Sequence, residues 1–219
     1  MTALRALQRY ARPMPASSPP VEAACELCRN PVDPHRHWHI ADLERRTLCC
    51  ACRACALLFE APAAAKGRYR TVPERVLHDD ASRLDEAQWA SLVIPVRLAF
   101  VFFNSSSGRW VAFYPGPGGA TESELPQEAC RDLARSNRLL AAARPDVEAV
   151  LAWGGREAKV FRTYLVPIVD CYELVGRVRQ SFRGFDGGVE VRRELTLFFD
   201  GLRRRSRPLK DGDVPGGAR

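Results

Sequence analysis

Apolar and polar positions along this chain change period several times, and each change marks an element. VIPVRLAFVFF, residues 93–103, is β-branched and aromatic with few polar positions, as in a strand covered on both faces. SSSGR makes a turn, and WVAFY (110–114) returns as its hairpin partner. DVEAVLAW (146–153), a Gly-Gly turn and AKVFRTYLVP (158–167) predict a second hairpin. Helical spacing takes over elsewhere. Ser82 precedes a short helix over 83–92 with acids in its first turn. Ser123 predicts the N-cap of a helix running to about Ala143, with Pro126 tolerated near its start. Residues 169–182 and 190–205 are helical by spacing. In the second, Leu195, Phe198, Phe199 and Leu202 fall at i, i+3, i+4 and i+7. The pattern predicts an α+β sandwich over 67–205, with a mainly antiparallel sheet of about four strands under helices.

The flanks differ from this region. Residues 1–20 read as a short amphipathic helix and a Pro/Ser linker. Residues 206–219 are polar and rich in Arg, Pro and Gly, which predicts a disordered basic tail. Residues 21–66 have few large apolar side chains but hold six of the eight cysteines and three of the four histidines. Such a segment usually needs a metal to fold.

The cysteines fall into a pattern. CELC supplies Cys25 and Cys28, and about 20 residues later TLCCACRAC supplies Cys49, Cys50, Cys52 and Cys55. Two residues between cysteines let a tight knuckle aim both thiolates at one ion, and a second pair completes the tetrahedron zinc prefers. Of the two overlapping downstream pairs, Cys52 and Cys55 are expected to be the ligands. ALLFEAPAA after them predicts a helix, and the start of a helix favours thiolate. HWHIADL, a polar turn at ERR and TLCC predict a hairpin between the pairs. Knuckle, hairpin and cysteine-headed helix make a small treble-clef or zinc-ribbon-like module. Cys49 and Cys50 alternate to opposite strand faces, so both cannot readily reach one ion, and they are expected to be small core residues. The sharper alternative is a site with five or six thiols and His37 near it, holding iron or an iron–sulfur cluster, or passing a metal on.

HRHWH (35–39) between the pairs invites comparison with HNH-type nucleases. The twelve residues between His39 and Cys52 contain no Asn or His, so that reading fails. His35, His37 and His39 are expected to share one strand face, as polar surface, or with one of them hydrogen-bonding to a ligand or replacing one. PGPGG (115–119) is expected to be an ordinary loop, since it lacks the Lys of a P-loop and the spacing of a dinucleotide fingerprint. Cys130 and Cys171 are expected in the core, and His78 in a solvated turn. No nucleophile elbow or paired catalytic carboxylates stand out.

Charge sharpens the picture a little. The net +7 is concentrated at the ends. Residues 1–20 carry three arginines and no acid, residues 177–219 eleven basic against six acidic groups, and the stretch between 19 against 20. A whole-surface nucleic-acid binder would not be neutral in its body. With no apolar run of about 18 residues and no apolar signal core, a cytoplasmic protein without membrane insertion is expected. There thiols stay reduced, and clustered cysteines are metal ligands more often than disulfides.

CELC, HRH, CRACALLF, RYRTVPER, the hairpin IPVRLAFVFFNSSSGRWVAFYPGPGGATES, and YLVPIVDCYELVG followed by FFDGL resemble an uncharacterised bacterial family. The resemblance covers about residues 21–205. Genes of that family often lie beside those of oxygen-insensitive uptake nickel–iron hydrogenases. No catalytic residues are assigned in it, so only the shared cysteines carry over. The resemblance implies an accessory or assembly role, with a hydrogenase subunit or maturation factor as protein partner. The expected function is therefore a metal-binding, non-enzymatic accessory protein. Its rivals are a redox or metal-transfer protein using the surplus thiols and a zinc-ribbon nucleic-acid binder.

Overall fold

The computed structural model describes residues 23–34, 36–61, 64–81, 84–116, 118–155, 159–181 and 188–214. The expected N-terminal helix and linker, His35 and Ser82 lie outside them. Among the described residues, six α-helices accompany two sheets, and the fold is α+β with mostly antiparallel strands.

The first sheet is small. Strands β1 (Trp38–Asp42) and β2 (Thr47–Ala51) form the expected hairpin, and β3 (Tyr69–Thr71) pairs with the other edge of β1. The small sheet therefore draws on chain beyond residue 66. Asp42 builds its turn. Its Oδ1 accepts from the Glu44 and Arg45 N–H groups at 3.2 and 3.1 Å, and Arg68 donates to both carboxylate oxygens at 3.1 and 2.7 Å. Helix α1 (Arg53–Leu58) follows β2 directly.

The second sheet has seven strands. They are β4 (Leu77–His78), β5 (Leu98–Asn104), β6 (Arg109–Gly116), β7 (Gly119–Ser123), β8 (Glu148–Trp153), β9 (Arg162–Pro167) and β10 (Arg207–Pro208). Their order is β10-β4-β9-β8-β5-β6-β7, antiparallel except for β10 against β4. Helices cover both faces. On one side lie α2 (Glu86–Ser91), α3 (Gln127–Ser136) and α4 (Arg138–Ala142); on the other, α5 (Ile168–Ser181) and α6 (Gly188–Arg205). Alternation along β5 explains its continuous apolar run. Leu98, Phe100 and Phe102 pack toward α5 and α6, while Ala99 and Val101 pack toward α2–α4. Ala41 of the small sheet and Val72, just after β3, join the α5–α6 core, which seats the small module on that face.

Several local expectations change. Helix α2 starts at Asp85, whose side chain accepts from Gln88 N–H in a reciprocal capping box. Where an ordinary loop was expected at 115–119, Pro115 and Gly116 end β6 and Gly119 begins β7, with Pro117 outside the described residues, and Ser123 ends β7 instead of capping a helix. The helix that follows begins after Pro126 and breaks at Asn137, whose Oδ1 accepts from Leu140 N–H at 3.1 Å to start α4. His78 sits in β4, not a solvated turn, with Nδ1 3.0 Å from Ser206 Oγ. Residues 206–214 are also structured. Beyond β10, Asp213 accepts from Arg207 at 2.7 Å and forms an ion pair with Arg75 at 3.3 Å. Arg75 grips the fully buried Glu148 at 2.6 and 2.8 Å, so the chain end closes over a buried ion pair.

Candidate metal centre

The first pair of cysteines rides a tight knuckle. Cys25 N–H donates to the Asn30 carbonyl at 2.8 Å, and Arg29 N–H donates to the Cys25 carbonyl at 2.8 Å. Arg29 takes φ +65°, the left-handed conformation that turns the chain back. The knuckle lies along the outer edge of β2, where Glu26 N–H donates to the Cys50 carbonyl at 2.9 Å. The second pair sits at the start of α1. Cys52 is its N-cap in extended backbone, and the Cys52 carbonyl accepts from Ala56 N–H at 3.0 Å.

These elements bring Cys25, Cys28, Cys52 and Cys55 together, with all four Sγ atoms within 4.8 Å of one another. Cys28 Sγ and Cys52 Sγ are 3.6 Å apart. A disulfide needs about 2.05 Å. The sulfurs of a zinc tetrahedron, with Zn–S of about 2.3 Å, stand about 3.8 Å apart. The spacing is that of a metal site, and four such cysteines could hold a metal ion. Cys25 and Cys55 are buried against Ile40 and Ala51, Cys52 is half-buried, and Cys28 is exposed.

Crowding shapes the thiols. Burial opposes charge on Cys25, but backbone N–H groups at Cys28, Cys52 and Leu27 outweigh it and draw the thiol down to about 6. Burial and the three neighbouring thiols push Cys55 up to about 12. Four adjacent thiolates need a cation among them.

Cys49 and Cys50 were expected as core residues, but both are only half-buried. Burial and the nearby Glu26 carboxylate push both thiols above the usual range, which opposes thiol–disulfide exchange. Cys130 and Cys171 are buried in the two large cores. Sequence reasoning missed a second grouping. His37, His39 and Cys50 also place ligand atoms within 4.8 Å of one another. The signal was present in the turn position, because a turn at 43–46 sets His39 opposite Cys50.

The Cys52–Cys55 pair follows a β-hairpin within a segment that one family model spans whole. The chain belongs to DUF5947, a family of unknown function, whose model matches residues 24–206. No curated protein and no solved structure matches it.

Between the two sheets lies a cleft of 520 Å³. Leu48, Phe102, Phe113 and Tyr172 give it apolar walls, and Arg46 and Arg109 stand at it from either sheet. Phe102 and Phe113 of that wall stack on each other and on Phe100 behind them, with ring centroids 5.7 to 6.4 Å apart. Among the described residues, no helix is long and apolar enough to cross a membrane.

Proposed function

We propose that the protein is a zinc-bearing, non-enzymatic adaptor that binds a protein partner in the cytoplasm. The observation that carries this reading is the convergence of Cys25, Cys28, Cys52 and Cys55 on one point. Four sulfurs complete a tetrahedron and leave no position for water or substrate, so the ion holds shape and does no chemistry. Two pairs, one on a knuckle and one at a helix start, suit zinc better than iron or an iron–sulfur cluster. The partner proposed is a hydrogenase subunit or maturation factor, which rests on the gene neighbourhood that the resemblance implies. The cleft between the sheets is the proposed docking surface, since its wall is apolar and aromatic and Tyr172 is partly exposed there.

The test is anaerobic purification of the full chain, metal analysis, an absorption spectrum and a native pull-down. One tightly held zinc, no visible absorption and recovery of a hydrogenase component are expected. Tyr172→Ala should lose the partner and keep the zinc. Brown protein, or a pull-down that recovers no hydrogenase component, would overturn the reading.

A second reading, metal transfer, is favoured by the half-exposed Cys50 and the histidines beside it.

A further inference from the structure

The hairpin β1–β2 carries a second set of donors that the four-cysteine centre does not use. Its register places His39 directly across from Cys50. Cross-strand partners share a face, and His37, two residues before His39, falls on that face too. The two imidazole rings lie 4.6 Å apart between centroids. One ring nitrogen from each and Cys50 Sγ are mutually within 4.8 Å. A tetrahedral ion with metal–nitrogen bonds of about 2.0 Å and metal–sulfur bonds of about 2.3 Å needs donors about 3.3–3.8 Å apart. All three side chains are half-buried, so small rotations close the gap without moving the backbone.

Two neighbours do what a ligand set requires. His37 Nδ1 lies 3.3 Å from the Asp33 carbonyl. A carbonyl only accepts, so Nδ1 carries the proton and Nε2 the lone pair. Metal-binding histidines are oriented by this kind of second bond. Glu26, on the knuckle, accepts from Cys50 N–H at 2.7 Å through Oε1. Its carboxylate therefore stands beside the trio and adds a negative charge that favours a cation.

We propose that His37, His39 and Cys50 form a second metal site, with the Glu26 carboxylate beside it, for a late first-row divalent ion such as Zn(II), Co(II) or Ni(II). Two imidazoles and one thiolate suit those ions and leave a fourth position open, whereas the all-thiolate centre is a softer and more closed cage. The mixed site is partly open to solvent. Its ion exchanges, while the ion at Cys25, Cys28, Cys52 and Cys55 stays. The small module thus carries one structural ion and one transferable ion, on different donors of the same hairpin. This inference rests on the register of β1 and β2 and is independent of the hydrogenase partner.

The experiment strips the full-length chain of its metal, titrates it anaerobically with Co(II), counts bound metal, and records the absorption spectrum. Two ions per chain are expected, the second removed by a mild chelator that leaves the first. His39→Gln and Cys50→Ser should each weaken the second ion more than about 100-fold and erase its bands, while the four-thiolate bands persist. Cys28→Ser should remove the four-thiolate bands instead. Far-UV circular dichroism reports whether each variant folds. If Cys50→Ser unfolds the hairpin, His37→Gln reads the same site from a half-buried position. A single ion per chain in the unaltered protein would overturn the proposal. So would two ions held with unchanged affinity in folded His39→Gln or His37→Gln.

Discussion

The seven-stranded sheet is packed on both faces, by Phe100, Leu151, Val166 and Phe199 on one side and Val101, Leu139 and Leu165 on the other. The three-stranded sheet has a small buried cluster of Ile40, Ala51, Cys25 and Cys55, with Val32, Phe59 and Tyr69 partly buried against it. One region buries enough apolar surface to hold itself together. The other has two of its four core positions filled by the cysteines themselves. In the large region, burial supplies the stability and polar groups fix details. In the small region, two of the thiols that could hold a metal ion are themselves core, so an ion bound there would be coupled to folding. The two regions still touch through Ala41 and Val72, which pack into the larger core.

Removing a thiolate should separate the regions most sharply. Cys28→Ser should lose the four-thiolate metal and the local fold of the small module, while the large sheet keeps its secondary structure. Circular dichroism and metal analysis check this. Unfolding in one step with loss of all secondary structure would mean the regions are energetically one.

The next largest effect belongs to the large region. Glu148 is fully buried, paired with Arg75 at 2.6 Å and accepting from Arg144 N–H at 2.8 Å. Glu148→Ala strips Arg75 of its closest carboxylate, leaving the 3.3 Å pair with Asp213, and leaves Arg144 N–H without its acceptor, which should cost about 1–3 kcal/mol in denaturant unfolding. The four-thiolate metal should be retained. Loss of metal in this variant would break the distinction from the other side.

A smaller effect is set by pH. The Arg68 guanidinium, hydrogen-bonded to Asp42, outweighs burial and holds that carboxyl at about 2 against its ordinary 3.8. The folded value lies below the unfolded one, so this stabilisation is complete above pH ~4 and is lost as pH falls from ~4 to ~2. The unfolding midpoint of the unaltered protein should drop across that window, and Asp42→Asn should abolish this contribution to the slope.

The smallest effect tests ligand assignment. Cys49, on the other face of β2 from Cys50, is half-buried. Cys49→Ser should keep both metals and lose less than about 1 kcal/mol. If it releases metal as fully as Cys55→Ser, more thiolates take part than the geometry assigns.

Some of this was legible in the residues. The spacing of CELC and CRAC named the four cysteines that the fold brings together, because a knuckle and a helix start are local structures whose geometry a few residues dictate. The apolar run at 93–103 announced a doubly covered strand, because burial on both faces removes polar positions, but the strand starts only at Leu98, after a turn in which Val93 takes φ +55° and is exposed. The α+β class and the two central hairpins followed from period alone. Tertiary structure decided the rest. Two-residue β4 and β10 are too short to show a period, and they pair where Arg75, Glu148 and Asp213 hold residues 207–213 beside β4. The break at Asn137 depends on its side chain choosing a cap over a continuing helix. The second donor set required a register. His39 and Cys50 are eleven positions apart in sequence, and a shift of one residue in pairing would have sent Cys50 to the other face.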